Sequence, residues 1–132
     1  LPLNILDTKL YRNETLAELN NEGIEIHVRS AFLQGLFYLP EVDLKEKFSD
    51  AVPYVKILIS IAAEIGLTLA ELSLLWLLSL EEVSKVVLGV DSKDQLTAHL
   101  KTLTKKVDPA VFEEALCIHY ENENILNPSL WL

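Results

Sequence analysis

The chain has 132 residues, half of them hydrophobic, which is enough for one domain with a modest core. Its formal net charge of −9 argues against nucleic acid and anionic membranes as partners, because both are bound through basic surfaces. A membrane span needs about 18 or more consecutive apolar residues. The most apolar region, residues 55–80, is interrupted by Lys56, Glu64 and Glu71, so we expect buried helices there.

The cysteine content and the first residues of the chain bear on its cellular compartment. The single cysteine, Cys117, cannot form an internal disulfide, which is typical of a reducing environment. No basic segment followed by an apolar one opens the sequence, so nothing suggests export, and we expect a cytoplasmic protein. The chain contains no Met and begins directly on an apolar run, from which we expect it to be part of a longer protein.

The first half of the chain predicts two strands, one short helix and two long apolar helices. In chain order, these elements are predicted over residues 3–6 (strand), 13–21 (helix), 24–30 (strand), 49–65 (helix) and 68–78 (helix). Gly23 closes the short helix in the C′ position. A stretch that is irregular to about residue 47 follows the second strand. Pro53 is tolerated in the first turn of the next helix, Gly66 stops it, and Thr68 with Glu71 forms a capping box for the last.

The last third of the chain predicts a strand, two helices and an irregular tail. These elements are predicted over residues 83–89, 92–103, 108–119 and 122–132. Ser92 and Gln95 form a second capping box, and Asp108 followed by proline is a typical N-cap and N1 pair.

The order of elements predicts the fold class. Strands separated by helices indicate an α/β protein with parallel strands joined by right-handed crossovers. Three parallel strands make a poor free-standing sheet, because two edges stay open and little covers both faces. We therefore interpret residues 1–132 as a single but incomplete domain.

Two of the predicted loops are candidates for a phosphate site. The loop of residues 30–35 follows the second strand, and the helix that begins at Ser92 follows the third. Both lie at the carboxyl ends of parallel strands, where free backbone N–H groups at helix N-termini bind phosphates. Asp91 at the entrance would repel an anion, and most helices after strands bind nothing. A small α/β domain with a different phosphate ligand is therefore one alternative hypothesis.

Three ionisable residues of the second strand share one face. Glu25, His27 and Arg29 are spaced two apart, and alternate residues of a strand point to the same side. On an edge strand this face would lie in water. In a closed barrel it would point to the interior, where the three groups would need partners on other strands. The spacing allows both interpretations.

Other residues with catalytic or metal-binding chemistry form no recognisable motif. Cys117 and His119 lie two apart on a predicted helix and face different sides, which argues against a metal pair. His99 lies within a helix, where a surface position is the usual one. Ser30 lacks the G-x-S-x-G context of a hydrolase nucleophile. The sequence also contains no P-loop, G-x-G-x-x-G or Cys-x-x-Cys motif.

Four segments in a fixed order carry a family resemblance. Pro2, Asn4 and Asp7 fit a strand pattern Gln-x-Pro-x-Asn-x-x-Asp, entered just after its Gln. Residues 22–30 and 33–36 look like the next strand and its loop. Residues 61–74 look like a helix-turn-helix, and residues 87–96 are similar to Ile-Pro-Gly-x-x-Ser-x-x-Gln-Leu, with Leu88 in place of the Pro. Over nearly its whole length the sequence thus resembles the C-terminal part of the aldo-keto reductases, (β/α)₈ barrels that use a nicotinamide cofactor.

The resemblance implies a partial (β/α)₈ TIM barrel, carrying strands six to eight of an oxidoreductase that moves hydride between NADP(H) and a carbonyl carbon. Ser30 and the backbone of residues 32–36 would hold the pyrophosphate side of the cofactor. Residues 89–92 and Gln95 would surround the adenosine 2′-phosphate, with His99 near the adenine. The implied cofactor-binding residues are Arg29, Ser30, Phe32, Leu33, Gln34, Gly35, Leu36, Gly89, Val90, Asp91, Ser92, Gln95 and His99.

Departures from the family pattern keep a second cofactor open. Arg29 stands where many members have an aromatic residue that stacks on the nicotinamide. Asp91 lies where a phosphate would prefer a neutral or basic neighbour, so NAD(H) is the alternative cofactor.

The resemblance assigns no catalytic residue to this chain. The family's catalytic Asp, Tyr, Lys and His belong to the first half of the barrel, so we expect the chain to be inactive alone. A rival hypothesis is a non-catalytic half-barrel module for binding or assembly, whose open sheet edges pair with a second copy. The sequence does not identify the carbonyl substrate.

Overall fold

Residues 1–131 are described by the computed structural model, and most of their regular structure is helical. The two strands are β1 (His27–Val28) and β2 (Lys85–Val86). Helices α1 to α8 span, in order, Lys9–Arg12, Thr15–Asn21, Glu41–Lys47, Val52–Glu64, Leu69–Ser79, Lys93–Thr102, Pro109–Ala115 and Glu123–Leu126. Three 3₁₀ segments span Leu33–Tyr38, Ser49–Ala51 and Pro128–Leu130. Strands separated by helices agree with the α/β class predicted from the sequence.

Three segments of the chain run side by side with the same polarity. Strands β1 and β2 are parallel, and their register pairs His27 with Lys85 and Val28 with Val86. On the other side of β1, Arg29 forms a parallel bridge with Pro2. The Arg29 N–H donates to Leu1 O at 2.9 Å, and Arg29 O accepts from Leu3 N at 3.1 Å. The predicted parallel arrangement is therefore confirmed, with β1 in the middle.

The first predicted strand, over residues 3–6, is wrong. Its first residue, Leu3, donates to Arg29 O, but the chain then turns at residues 5–6. Asn4 Oδ1 accepts hydrogen bonds from the N–H groups of Leu6 at 3.0 Å and Asp7 at 2.9 Å. The asparagine side chain thus takes the place of a strand partner, which is the usual way in which Asn starts a turn.

The other two strands are shorter than predicted, with two residues each in place of residues 24–30 and 83–89. Ile26 O accepts from both Ser84 N at 2.8 Å and Lys85 N at 3.2 Å, which disrupts the ladder before β1. Ser30, at φ +66°, leaves the extended region directly after it. Irregular backbone on both sides therefore limits the ladder.

One face of the sheet packs on helices, and the other is exposed. Ile26 and Val28 are buried, whereas Glu25, His27 and Arg29 lie on the exposed face. The largest fully buried side chain is Trp76 of α5, a helix with eight buried residues. The core therefore lies between β1 and the α4–α5 pair, on the helical side of the sheet.

Helices α4 and α5 follow the sequence predictions closely. Pro53 lies in the first turn of α4, and Gly66 adopts φ +72° after its end. The predicted capping box of α5 is present, since Thr68 Oγ1 accepts from Glu71 N at 3.2 Å and Glu71 Oε2 accepts from Thr68 N at 3.0 Å. Among residues 1–131, no single helix has the length and apolarity to cross a membrane. The segments Ser49–Glu64 and Leu69–Ser79 pass that test only together, and they meet at an angle of 81°.

Helix α3 occupies part of the stretch that was predicted to be irregular. It buries only Leu44, so the sequence carries almost no apolar periodicity there. The helix is instead supported by charge, because Glu41 pairs with Lys45 at 2.6 Å and with Lys56 of α4 at 3.0 Å. The i,i+4 spacing of Glu41 and Lys45 is visible in the sequence, but the pair with Lys56 depends on how α3 packs on α4.

Several other helix boundaries differ from the predictions. The helix predicted over residues 13–21 begins only at Thr15, because Glu14 is left-handed at φ +65°, and α1 forms before it where no helix was predicted. Helix α7 ends at Ala115, and not near residue 119. The tail, predicted to be irregular, forms α8 and a 3₁₀ turn. Leu132, its last residue, lies outside the described residues.

Arg12 of α1 contacts the segment that follows α7. Its guanidinium donates to Ile118 O at 2.8 Å and to Leu116 O, carbonyls that have no partner within α7. It also donates to His119 Nε2 at 2.9 Å and to Thr8 Oγ1 at 2.6 Å. The Arg12 side chain thus joins the start of the chain to the end of α7.

Candidate functional site

A groove of about 470 Å³ opens at the carboxyl ends of β1 and β2. We call its two walls the β1 loop (residues 29–36) and the β2 loop (residues 87–92), and the first turn of α6 continues the second wall. The residues that line the groove are Arg29, Ser30, Ala31, Phe32, Gln34, Gly35, Tyr38, Val87, Leu88, Gly89, Asp91, Gln95 and His99. The structure therefore brings together the two loops that the sequence placed on one face of a parallel sheet.

The β1 loop has an unusual backbone. Ser30, Leu33, Gln34 and Gly35 all have positive φ, at +66°, +46°, +53° and +88°. Only glycine adopts this region freely, and for other residues it costs roughly 1–2 kcal/mol each. Contacts from the surrounding structure must therefore hold three of these residues in place. The sequence signalled only Gly35.

Two backbone donors at the start of the β1 loop have no hydrogen-bond partner among residues 1–131. Leu33 N donates to Ser30 O at 3.0 Å, and Gly35 N donates to Phe32 O at 3.1 Å. In contrast, the N–H groups of Ala31 and Phe32 donate to no oxygen of residues 1–131. Both residues line the groove. Donors of this kind in a turn with left-handed residues are suited to an anion.

The N-terminus of α6 differs in detail from the predicted capping box. Ser92 Oγ accepts from Gln95 N at 3.1 Å, as predicted. The side chain of Gln95, however, accepts from Asp91 N at 2.7 Å, one residue earlier than a capping box requires. The amide of Gln95 thus fixes the β2 loop against the helix and forms part of the groove wall.

Aromatic rings join the two walls. The rings of Phe32 and His99 are stacked, with centroids 5.0 Å apart and planes 19° apart. Tyr38 meets Phe32 edge to face at 5.4 Å. A smaller cavity of about 200 Å³ lies beside the groove, and Phe32, Tyr38, Gln95 and His99 line both.

Most of the residues proposed from the sequence lie at the groove. The nine that line it are Arg29, Ser30, Phe32, Gln34, Gly35, Gly89, Asp91, Gln95 and His99. Leu33 and Leu36 are buried in the core beneath the β1 loop, and Val90 and Ser92 are exposed outside the lining. The structure gives these four residues no contact with the groove, although their backbone helps to shape its walls.

Sequence reasoning missed four lining residues, namely Ala31, Tyr38, Val87 and Leu88. Ala31, Val87 and Leu88 lie within or beside the segments that carried the family resemblance, so their positions alone could have indicated them. Tyr38 carried no such signal, because it is brought to the groove by the 3₁₀ segment after the β1 loop.

The charged residues at the groove lie on opposite walls. Arg29 is the lining residue with a permanent positive charge, and its guanidinium donates to Ser30 Oγ at 3.2 Å. Asp91 brings a carboxylate to the β2 loop. An anionic ligand would therefore be attracted at the β1 wall and repelled at the β2 wall.

The polar face of β1 has a partner on the neighbouring strand. His27 Nε2 donates to Glu25 Oε1 at 2.7 Å, and Lys85 Nζ lies 3.3 Å from the same oxygen. The hydrogen bond from His27, followed by that from Lys85, lowers the pKa of Glu25. All three side chains are exposed, so this group does not distinguish an edge strand from a barrel interior.

Residues 1–131 contain no group of three His, Cys, Asp or Glu side chains that could hold a metal ion. Cys117 is exposed, and its thiol contacts Glu113 O. His119 lies against Arg12, away from the groove.

Comparison with protein families agrees with this geometry. The model of the Aldo/keto reductase family matches residues 2–115, which is most of the chain. The match includes both loops of the groove, the parallel segments beneath them and helices α4 to α6. The chain therefore belongs to the aldo/keto reductase family.

Proposed function

We propose that this chain is the cofactor-binding part of an NADP(H)-dependent oxidoreductase that reduces a carbonyl substrate. Membership in the aldo/keto reductase family suggests an oxidoreductase, and that family generally binds nicotinamide cofactors. The observation that carries the proposal is the groove between the β1 and β2 loops, at the carboxyl ends of parallel strands. Ligands of parallel α/β folds bind at this end of the sheet.

The groove residues fit a dinucleotide. The N–H groups of Ala31 and Phe32 would hold oxygens of the diphosphate, and Arg29 would add the positive charge of that wall. The stacked rings of Phe32 and His99 offer an aromatic surface for the adenine base. When bound, the cofactor supplies or accepts the hydride. The residues of this chain bind and orient it.

NAD(H) is the second candidate cofactor, and Asp91 is the observation that favours it. The carboxylate of Asp91 lines the β2 wall, where it would repel the additional phosphate of NADP(H). In contrast, Lys93 favours NADP(H). It is exposed at the start of α6, directly after the β2 loop, and its positive charge would attract the additional phosphate.

We further propose that the chain supplies the last three strand units of a (β/α)₈ barrel, the fold that family membership implies. Two observations support this interpretation. The three parallel segments lie side by side, and both outer edges of this arrangement have no strand partner among residues 1–131. The catalytic groups would then lie on other residues of the parent protein. We expect the 132-residue chain alone to give no NADPH consumption with a test aldehyde, and turnover above the blank would contradict this.

Direct binding to the 132-residue chain tests the proposed function. The fluorescence of NADPH and NADH is titrated with wild-type chain and with the variant Arg29→Gln, and Lys47→Gln serves as a matched control. Lys47 is an exposed cation of α3 that does not line the groove. We expect Arg29→Gln to weaken binding by about 5- to 10-fold, because it removes one charge-assisted contact. Absence of binding by the wild-type chain, or equal loss in both variants, would contradict the proposal.

A further inference from the structure

Two fully buried polar side chains lie beneath the β1 loop. Asn4 and Ser73 each have 0% exposure, and they come from different parts of the chain, the N-terminal segment and helix α5. Polar groups are costly to bury unless each finds a hydrogen-bond partner. In both cases the partner is a carbonyl of the β1 loop.

The hydrogen bonds form one connected group. Asn4 Nδ2 donates to Ser30 O at 3.2 Å. Ser73 Oγ donates to Ala31 O at 2.7 Å and accepts from Ile5 N at 3.2 Å. Asn4 therefore holds the first of two successive loop carbonyls directly. Ser73 of α5 holds the second carbonyl and is itself bonded to Ile5, the neighbour of Asn4.

These bonds determine where two backbone donors face. In a trans peptide the C=O and N–H groups point in opposite directions. The peptide that contains Ser30 O also contains the N–H of Ala31, and the peptide that contains Ala31 O also contains the N–H of Phe32. Holding both oxygens towards the buried side chains therefore turns both N–H groups away from them. These are the two N–H groups that have no acceptor within residues 1–131.

We propose that Asn4 and Ser73 are positioning residues, which orient the Ala31 and Phe32 N–H groups to bind the diphosphate of a dinucleotide. This inference rests on the proposed function. The same bonds also keep Ser30 at φ +66°, a conformation that serine seldom adopts without support. The loop is thus shaped for an anion before any ligand arrives.

The test compares three variants of the 132-residue chain. Ser73→Ala removes the donor to Ala31 O, and Ser73→Thr retains a hydroxyl at the same place. Thr8→Val is the matched control, because Thr8 is also buried and its hydroxyl accepts from Arg12 Nε, away from the groove. Inorganic pyrophosphate and NADPH are the probes. Binding is followed by the backbone amide signals of Ala31 and Phe32 in ¹⁵N-labelled protein, and folding by thermal melting.

In the wild-type chain we expect pyrophosphate to shift both amide signals. Ser73→Ala should weaken the binding of both probes by about tenfold, which corresponds to the loss of one well-placed hydrogen bond. Ser73→Thr should recover most of the affinity, and Thr8→Val should bind as the wild type does even if its melting temperature falls.

The outcomes separate this inference from the proposed function. Wild-type binding of NADPH with an unchanged affinity in Ser73→Ala would overturn the positioning role and leave the proposed function intact. Binding of NADPH without any shift of the Ala31 and Phe32 signals would do the same. Absence of NADPH binding by the folded wild-type chain would overturn both. If Ser73→Ala does not fold, Asn4→Asp replaces it, since the carboxylate still accepts from Leu6 N and Asp7 N but cannot donate to Ser30 O when ionised.

Discussion

The imidazole ring of His99 stacks on the phenyl ring of Phe32, with 5.0 Å between the ring centroids. Phe32 belongs to the β1 loop and His99 to α6, so the stack connects the two walls of the groove. Stacked aromatic pairs are favourable by ~0.5–1.5 kcal/mol beyond their buried area, so this pair helps to hold the two walls together. We propose that it also provides a surface for the adenine base.

The stack predicts how substitutions at His99 affect adenine nucleotides. We expect His99→Ala to weaken ADP binding by about 3- to 10-fold through the loss of a stacking surface, and His99→Phe to leave it nearly unchanged. Calorimetric titration of the 132-residue chain with ADP measures both. His119→Ala, which alters a histidine outside the groove, serves as the control. Equal affinities for His99→Ala and the wild type would contradict the assignment.

Asp91 predicts the choice between the two cofactors. Replacing it with asparagine removes a negative charge from the groove wall but keeps the backbone N–H that donates to Gln95 Oε1. Two unit charges about 4 Å apart in water interact by ~1 kcal/mol, so we expect Asp91→Asn to strengthen NADPH binding by about fivefold. NADH binding should stay the same, because NADH lacks the additional phosphate. A parallel gain for both cofactors, measured by fluorescence titration, would refute this explanation.

The capping box of α5 predicts a change in stability. Thr68→Ala removes the hydroxyl that accepts from Glu71 N, so we expect the free energy of unfolding to fall by ~1 kcal/mol. Urea unfolding followed by circular dichroism measures it. Thr97→Ala is the comparison, because the Thr97 hydroxyl donates to Lys93 O within an exposed part of α6. A loss for Thr97→Ala as large as that for Thr68→Ala would show that capping is not the cause.

The ion pairs of Glu41 predict a pH dependence of stability. Hydrogen bonds from Lys45 and then Lys56 lower the pKa of Glu41 from 4.5 to about 2. The ionised form is therefore favoured in the folded chain, and its contribution is fully present above pH 4.5 and is lost as the pH falls towards 2. We expect the difference in unfolding free energy between wild type and Glu41→Gln to shrink over this range and at high salt. A carboxyl titration of Glu41 by NMR with a midpoint near 4.5 would contradict it.

Exposed leucines predict that the chain associates. Leu96, Leu100 and Leu103 are 46%, 56% and 52% exposed, and their spacing places them on one face of α6 and its C-cap. Contiguous apolar surface of this kind favours association in water. We expect light scattering to show oligomers for the wild-type chain and a larger monomer fraction for Leu100→Lys. A monodisperse wild-type monomer would disprove the prediction.

The sequence predicted α4 and α5 well because local signals determine where these helices begin and end. Pro53, Gly66 and the Thr68 capping box marked the ends of α4 and α5 correctly, because each acts through its own backbone or its near neighbours. Helix α3 and the strand lengths were predicted wrongly because contacts between distant parts of the chain help to determine them. One ion pair of Glu41 is with Lys56 of another helix, and the strand pairing at Ile26 involves residues 84–85.

Some features of the candidate site could be predicted from the sequence and others could not. The two loops could be located because their residues carry the family resemblance, and nine of the thirteen proposed residues line the groove. The hydrogen bonds from Asn4 and Ser73 could not be foreseen, because they join three segments that only the folded backbone brings together. Tyr38 is a similar case, since it carries no sequence signal.

The position of Arg12 has a consequence for the order of events during synthesis. Its partners, Leu116 O, Ile118 O and His119, lie more than one hundred residues further along the chain. A ribosome that has completed the parallel segments and α5 would therefore expose a chain in which the Arg12 guanidinium still lacks these partners. The contact closes a loop of more than one hundred residues, so we expect it to form late in folding.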